Sequence, residues 1–176
     1  MTDEVPGAIV VGVDGSVFSR AALRWAIAEG RQWSVPVVAV LAWHLDSLVC
    51  ASLPITGVPV HPHETWEATF QRFLDGTVHR VCAETGGPRP ITRLIAGLAA
   101  DVLVEQSRDA RLLALGSHGH GWLSGSVIGS VADHCLHHAA CPVLVIPAGI
   151  VPAEPEPPAV VVPSALLPDR YGLGPI

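Results

Sequence analysis

The chain contains no lysine. That one absence excludes both Schiff-base chemistry and the lysine of a Walker-type phosphate loop. All positive side-chain charge is left to arginine and histidine, and with 10 basic against 16 acidic residues the formal charge is −6. Basic runs are lacking as well. Nucleic acid is therefore excluded as a main partner, because backbone binding needs clustered cations to displace counterions. The four cysteines, Cys50, Cys82, Cys135 and Cys141, form no CxxC pair, which argues against a disulfide framework and for free, buried thiols. Mean hydropathy is positive at +0.44, yet Gly, Pro, His or charge interrupts every apolar run before the roughly 20 residues needed to cross a bilayer. No basic n-region precedes the apolar run in MTDEVPGAIVVGVDG, so a secretory signal is not expected and a cytoplasmic protein is.

What the 176 residues do contain is an alternation of two periodicities. The run 8–14, AIVVGVD, is apolar almost throughout and reads as a strand covered on both faces. Asp14 and Ser16 offer cap chemistry for a helix to about Trp33, with Ala22, Leu23, Ala26 and Ile27 as its apolar stripe. Further strands are expected at 37–43, 90–96, 111–117 and 142–147, and further helices at 63–85, 99–108 and 127–140. Gly97 marks one turn, and residues 44–62 form a long loop punctuated by Pro54, Gly57, Pro59 and Pro62. Strands alternating with helices imply an α/β fold with a five-stranded parallel sheet sandwiched between helical layers, since parallel strands need crossover connections. Trp25, Trp33, Trp43 and Trp66 are expected in helix packing and core, and Trp122 over or near a ligand crevice.

Composition changes near Ala148, where prolines recur too closely for a helix or a central strand. A globular domain over 1–148 and a Pro-rich tail over 149–176, disordered or docked on a partner subunit, follow as expectations.

The chemistry concentrates at 116–130, GSHGHGWLSGSVIGS. In an open parallel sheet, ligands sit beyond the carboxyl ends of the strands, where strand order reverses. Glycines at 116, 119, 121, 125 and 129 let the backbone take positive φ and approach a ligand closely. Gly129-Ser130 then opens a helix, whose unpaired N–H groups and positive dipole end make an anion site without a cationic side chain.

The spacing Gly116-x2-Gly119-x9-Gly129-Ser130 fits the G-2x-G-9x-G-[ST] pattern of ATP-binding universal stress proteins, and it follows a strand. The segments 10–16, VVGVDGS, and 138–147, HAACPVLVIP, resemble the same family, as does Gly97 with the helix after it. The resemblance covers about residues 7 to 148. It implies a Rossmann-like fold with strand order 3-2-1-4-5 and a homodimer paired through the last strand, 142–147. It also implies an adenine nucleotide, ATP or AMP, bound with Mg²⁺. Residue by residue, it suggests Gly12 and Asp14 beside the nucleotide, Ala42 against adenine, and Gly116, Ser117, His118, Gly119, His120 and Gly121 around ribose and phosphates. Gly129, Ser130 and Val131 would bind phosphate through backbone N–H groups. His118 and His120 stand where relatives often carry arginine, so affinity is expected to rise as pH falls toward 6.

Three other readings compete for these residues. His118-x-His120 with His134, His137 and His138 suggests a metal site, although a solvated histidine face near a helix C-terminus is ordinary. Slow ATP hydrolysis would need more than Asp14 and a histidine, because no lysine or arginine in the loop stabilises transferring phosphoryl charge. A dimeric interaction module without nucleotide would use the same scaffold and leave the glycine-serine pattern idle. Binding without efficient chemistry is the reading the residues favour.

Overall fold

The computed structural model describes residues 5–44, 66–119 and 128–147. Along them run β1 (Ile9–Gly12), α1 (Val17–Trp33), β2 (Val37–Trp43), α2 (Trp66–Thr85), β3 (Ile91–Ala96), α3 (Ala99–Gln106), β4 (Leu112–Gly116), α4 (Ser130–His138) and β5 (Val143–Ile146). All strand pairings are parallel and the order is β3-β2-β1-β4-β5. Ile9 of β1 lies opposite Val37 on one side and Leu112 on the other, so β1 is central.

The period-two geometry of strands sends alternate residues of β1 to opposite layers. Ile9, Val11 and Val13 join Leu23 and Ile27 of α1 and Leu74, Val78 and Val81 of α2. Ala8 and Val10 join Val38, Val40, Leu113 and Leu115 beneath Val102 and Leu103 of α3 and Ala132 and Cys135 of α4. A fully buried Leu or Ile in such a layer contributes about 1.5–3 kcal/mol. The apolar run that reads as a doubly covered strand is one because helices pack on both of its faces.

The differences from expectation lie at the ends of elements. β1 stops at Gly12, although the Val13 N–H still donates to the Val40 carbonyl at 2.8 Å before the chain turns out at Asp14. α3 ends at Gln106, where the Ser107 hydroxyl donates back to the Val104 carbonyl at 2.6 Å and competes with a further turn. α4 begins at Ser130 rather than 127, with Gly129 as its N-cap. Trp43 packs on Phe70, with ring centroids 5.9 Å apart. Trp33 corrects the core assignment: it is 38% exposed, edge-on to Trp25 and covered by the Arg111 guanidinium 5.4 Å from its ring. Its position at the end of α1 leaves it partly open to solvent. The side chain of Trp66, together with Trp122, Cys50, the 45–65 segment and the 148–176 tail, falls outside the described residues.

Candidate nucleotide site

The order β3-β2-β1-β4-β5 places the reversal between β1 and β4. The turns leaving these two strands therefore share one crevice. The first is Asp14-Gly15-Ser16. Asp14 Oδ1 accepts a hydrogen bond from the Ser16 N–H at 2.9 Å, and Ser16 Oγ accepts from the Ser19 N–H at 3.1 Å, capping α1. Gly15 takes φ +85°, and the Phe73 ring of α2 fills the space where a side chain would stand.

The second turn comes from β4 and lies over the first. Ser117 is tied into the sheet by its N–H to the Ile146 carbonyl at 2.9 Å. A Cβ at Gly116 would stand 2.6 Å from Phe18 Cβ and 2.9 Å from the Ser19 nitrogen, so glycine lets β4 end directly on the first turn of α1. A Cβ at Gly119 would stand 2.7 Å from Asp14 Oδ2. The carboxylate from β1 and the glycine backbone from β4 thus meet across the switch point.

The start of α4 closes the group. Gly129 lies against Ser117, His118 and Gly119, and its N–H donates to the Ser117 carbonyl at 2.7 Å. Its φ is −71° and its cap makes no side-chain hydrogen bond. The first carbonyl acceptor of the helix is that of Gly129, taken by the Asp133 N–H at 2.9 Å. The N–H groups of Ser130, Val131 and Ala132 precede that bond and belong to the unpaired set of a helix N-terminus. By contrast, the neighbouring N-terminus of α1 is capped by the Ser16 hydroxyl.

Of the residues expected at the site, His118 and Gly12 are enclosed by neighbouring side chains. His118 is buried at 8% exposure, its Nδ1 2.9 Å from Ser117 Oγ and its ring 5.5 Å from that of Phe18. Its imidazole supports the turn against α1. A Cβ at Gly12 would stand 2.8 Å from the Leu115 side chain and 3.2 Å from that of Leu103, so glycine leaves room for those leucines. Ala42 is half-buried at the end of β2, opposite Ile95. Gly116, Gly119 and Gly129 lie outside the positive-φ set, which among the described residues holds Gly7, Gly15, Gly86 and Gly97; at Gly116 and Gly119 glycine answers a need for space. His120 and Gly121 fall outside the described residues.

Sequence reasoning missed Arg20. It is buried at 6% exposure on α1, and its Nη1 donates to the Gly15 carbonyl. On α4, His134 and His138 lie ring to ring at 4.4 Å, and His137 Nδ1 pairs with the Asp133 carbonyl at 2.8 Å. Among the described residues no group of three or more His, Cys, Asp or Glu is placed to hold a metal ion. Nor is any helix among them long and apolar enough to cross a membrane.

Comparison with known proteins bears on the family and the fold. The model of the universal stress protein family matches residues 7–147. Universal stress protein Rv2623 of Mycobacterium tuberculosis is 28% identical over 142 residues, covering 78% of this chain and 46% of that protein. Universal stress protein Mb2019 of Mycobacterium bovis is 30% identical over 180 residues, covering 88% and 52%. The chain thus spans about half the length of the curated relatives it matches. Among solved structures, a universal stress protein in complex with cAMP has a TM-score of 0.58 at 18% identity, covering 81% of this chain and 97% of that one. The universal stress protein of Archaeoglobus fulgidus in complex with dAMP has a TM-score of 0.56 at 23% identity, covering 81% and 98%. Those likenesses carry the fold, and the family match carries the relationship: this chain belongs to the universal stress protein family.

Proposed function

We propose that the protein binds an adenine nucleotide, ATP or AMP, in the crevice between the β1 and β4 turns, and that occupancy transmits metabolic state in a cytoplasmic stress response. The observation that carries the proposal is the start of α4. It lacks a side-chain cap, and it is held beside Gly119, which lies on the Asp14 carboxylate. A helix N-terminus of that kind attracts phosphate through its free N–H groups and its dipole. With the Gly129 N–H engaged by Ser117, Ser130 and Val131 become the phosphate donors, aided by the exposed Ser130 side chain. Gly116 and Gly119 bring the backbone close, Ala42 offers a small apolar contact to the base, and Asp14 faces ribose or metal. Mg²⁺ would be held mainly by phosphate oxygens and water, as suits a hard cation that dehydrates reluctantly. The cAMP and dAMP complexes of the fold neighbours support an adenine ligand.

Binding rather than efficient catalysis fits the residues, because one oxygen of Asp14 is already committed to the Ser16 N–H. The assembly we propose is a homodimer through β5, an outer strand of the sheet that follows α4 and contacts it; Leu136 of α4 is 44% exposed. Light scattering should give twice the monomer mass for the wild type and the monomer mass for Leu136→Glu. Mass spectrometry of ligand released from purified protein tests the nucleotide reading. Co-purifying ATP or AMP, lost in Gly129→Ala and Ser130→Ala, supports it, whereas an empty wild type that ignores added nucleotide favours an interaction module.

A further inference from the structure

Arg20 lies within the first two turns of α1 with 6% of its surface exposed. A guanidinium kept from water is costly unless its donors are met, and here one of them is spent on the Gly15 carbonyl. That carbonyl and the Ser16 N–H belong to one peptide unit. Because the unit is planar, fixing its oxygen fixes the direction of its N–H. The same N–H donates to Asp14 Oδ1 at 2.9 Å, and the other carboxylate oxygen is the one that a Cβ at Gly119 would meet at 2.7 Å. Gly15, at φ +85° under the Phe73 ring, can rotate more freely than any other residue type, so the turn needs an external hold.

We propose that Arg20 is a positioning residue for the nucleotide site: it pins the Gly15–Ser16 peptide, and through that peptide it aims the Asp14 carboxylate at the Gly119 backbone. The inference rests on the nucleotide-binding reading. Arg20 supplies to the first turn the order that the loop from β4, which has no lysine or arginine, does not obtain from a cation of its own.

The test is ATP titration of the wild type, Arg20→Met, Arg20→Lys, Asp14→Ala and the Arg20→Met/Asp14→Ala double variant, with amide spectra of the free proteins. Arg20→Met should weaken ATP binding about tenfold, the scale of one charge-assisted hydrogen bond. Arg20→Lys, which keeps a donor for the Gly15 carbonyl, should recover most of that loss. In the Asp14→Ala background Arg20→Met should change affinity little, since the two act through one path. The Ser16 amide resonance should move and exchange faster in Arg20→Met, even without nucleotide. Full affinity in folded Arg20→Met, or losses that simply add to those of Asp14→Ala, would overturn the proposal. If the wild type binds no nucleotide, the binding reading fails by itself and the Ser16 amide alone decides the positioning: an unchanged resonance then overturns it, and a shifted one upholds it.

Discussion

Asp14 and Gly119, which leave neighbouring strands at the point where the sheet reverses, stand so close that a Cβ on Gly119 would lie 2.7 Å from Asp14 Oδ2. With Oδ1 held by the Ser16 N–H, the carboxylate cannot retreat without giving up that bond. Gly119→Ala should therefore change binding more than folding. Nucleotide affinity is expected to fall about tenfold, while stability changes by less than about 1.5 kcal/mol, the scale of one hydrogen bond. Calorimetric titration and urea unfolding check the two halves separately.

Gly15 should be the most sensitive position of the first turn. Alanine there must hold φ near +85° and also displace the Phe73 ring. The left-handed backbone alone costs about 1–2 kcal/mol, and the displaced ring adds to it. Ser16→Ala, which removes the N-cap of α1, should cost about 1 kcal/mol. Thermal unfolding should rank Gly15→Ala below Ser16→Ala and both below the wild type; the reverse ranking of the two variants would mean that the turn relaxes freely.

Burial pushes the Cys135 thiol up to about 11 and leaves none of its surface exposed. Burial also raises Cys82, offset by the nearby Arg89 charge, and Cys141, offset by a backbone hydrogen bond from Leu113. In native protein at pH 8, Cys135 should resist a thiol reagent that the half-buried Cys141 and Cys82 accept slowly. A proton held more tightly in the folded state makes the Cys135 contribution complete below its unfolded value near 9, and the contribution is lost as pH rises to about 11. Cys135→Ala should flatten the alkaline arm of the stability profile over that window.

His118 should act through packing. It lies between the Ser117 hydroxyl and the Phe18 ring. His118→Ala is expected to lower stability by about 1–3 kcal/mol through lost buried contacts. His118→Gln, which can still bond Ser117, should lose less. Unfolding midpoints read both. A large affinity loss in His118→Gln with unchanged stability would return the histidine to the phosphate contacts.

Much of this architecture is written locally in the chain. Ala22, Leu23, Ala26 and Ile27 report their buried face by helical spacing alone, and VVAVLAW at 37–43 reports a strand buried on both faces. The spacing from Gly116 to Ser130 is legible only through its resemblance to the universal stress protein pattern. Relations across the chain are not legible in this way. His118 reads in sequence only as a histidine where relatives often carry arginine; its contact with the Phe18 ring, a partner brought near by the β1–β4 pairing, is not legible there. The loop glycines suggest positive φ, whereas at Gly116 and Gly119 the structure uses glycine where α1 and the Asp14 carboxylate approach too closely for a Cβ. Arg20 gives no signal in sequence, since a charged residue in the second turn of a helix is usually solvated. Only its burial and its bond to Gly15 show what it holds.

The central claim is that an adenine nucleotide sits between Asp14, Gly119 and the start of α4. Amide chemical-shift mapping during titration with ATP and Mg²⁺ tests it most directly, because it reports occupancy and location in one experiment. We expect the largest shifts at Asp14, Gly119, Ser130 and Val131, with much smaller ones at the opposite end of the sheet around Gly7 and Arg111. A spectrum unmoved by millimolar ATP, or shifts clustered away from those four residues, would contradict it.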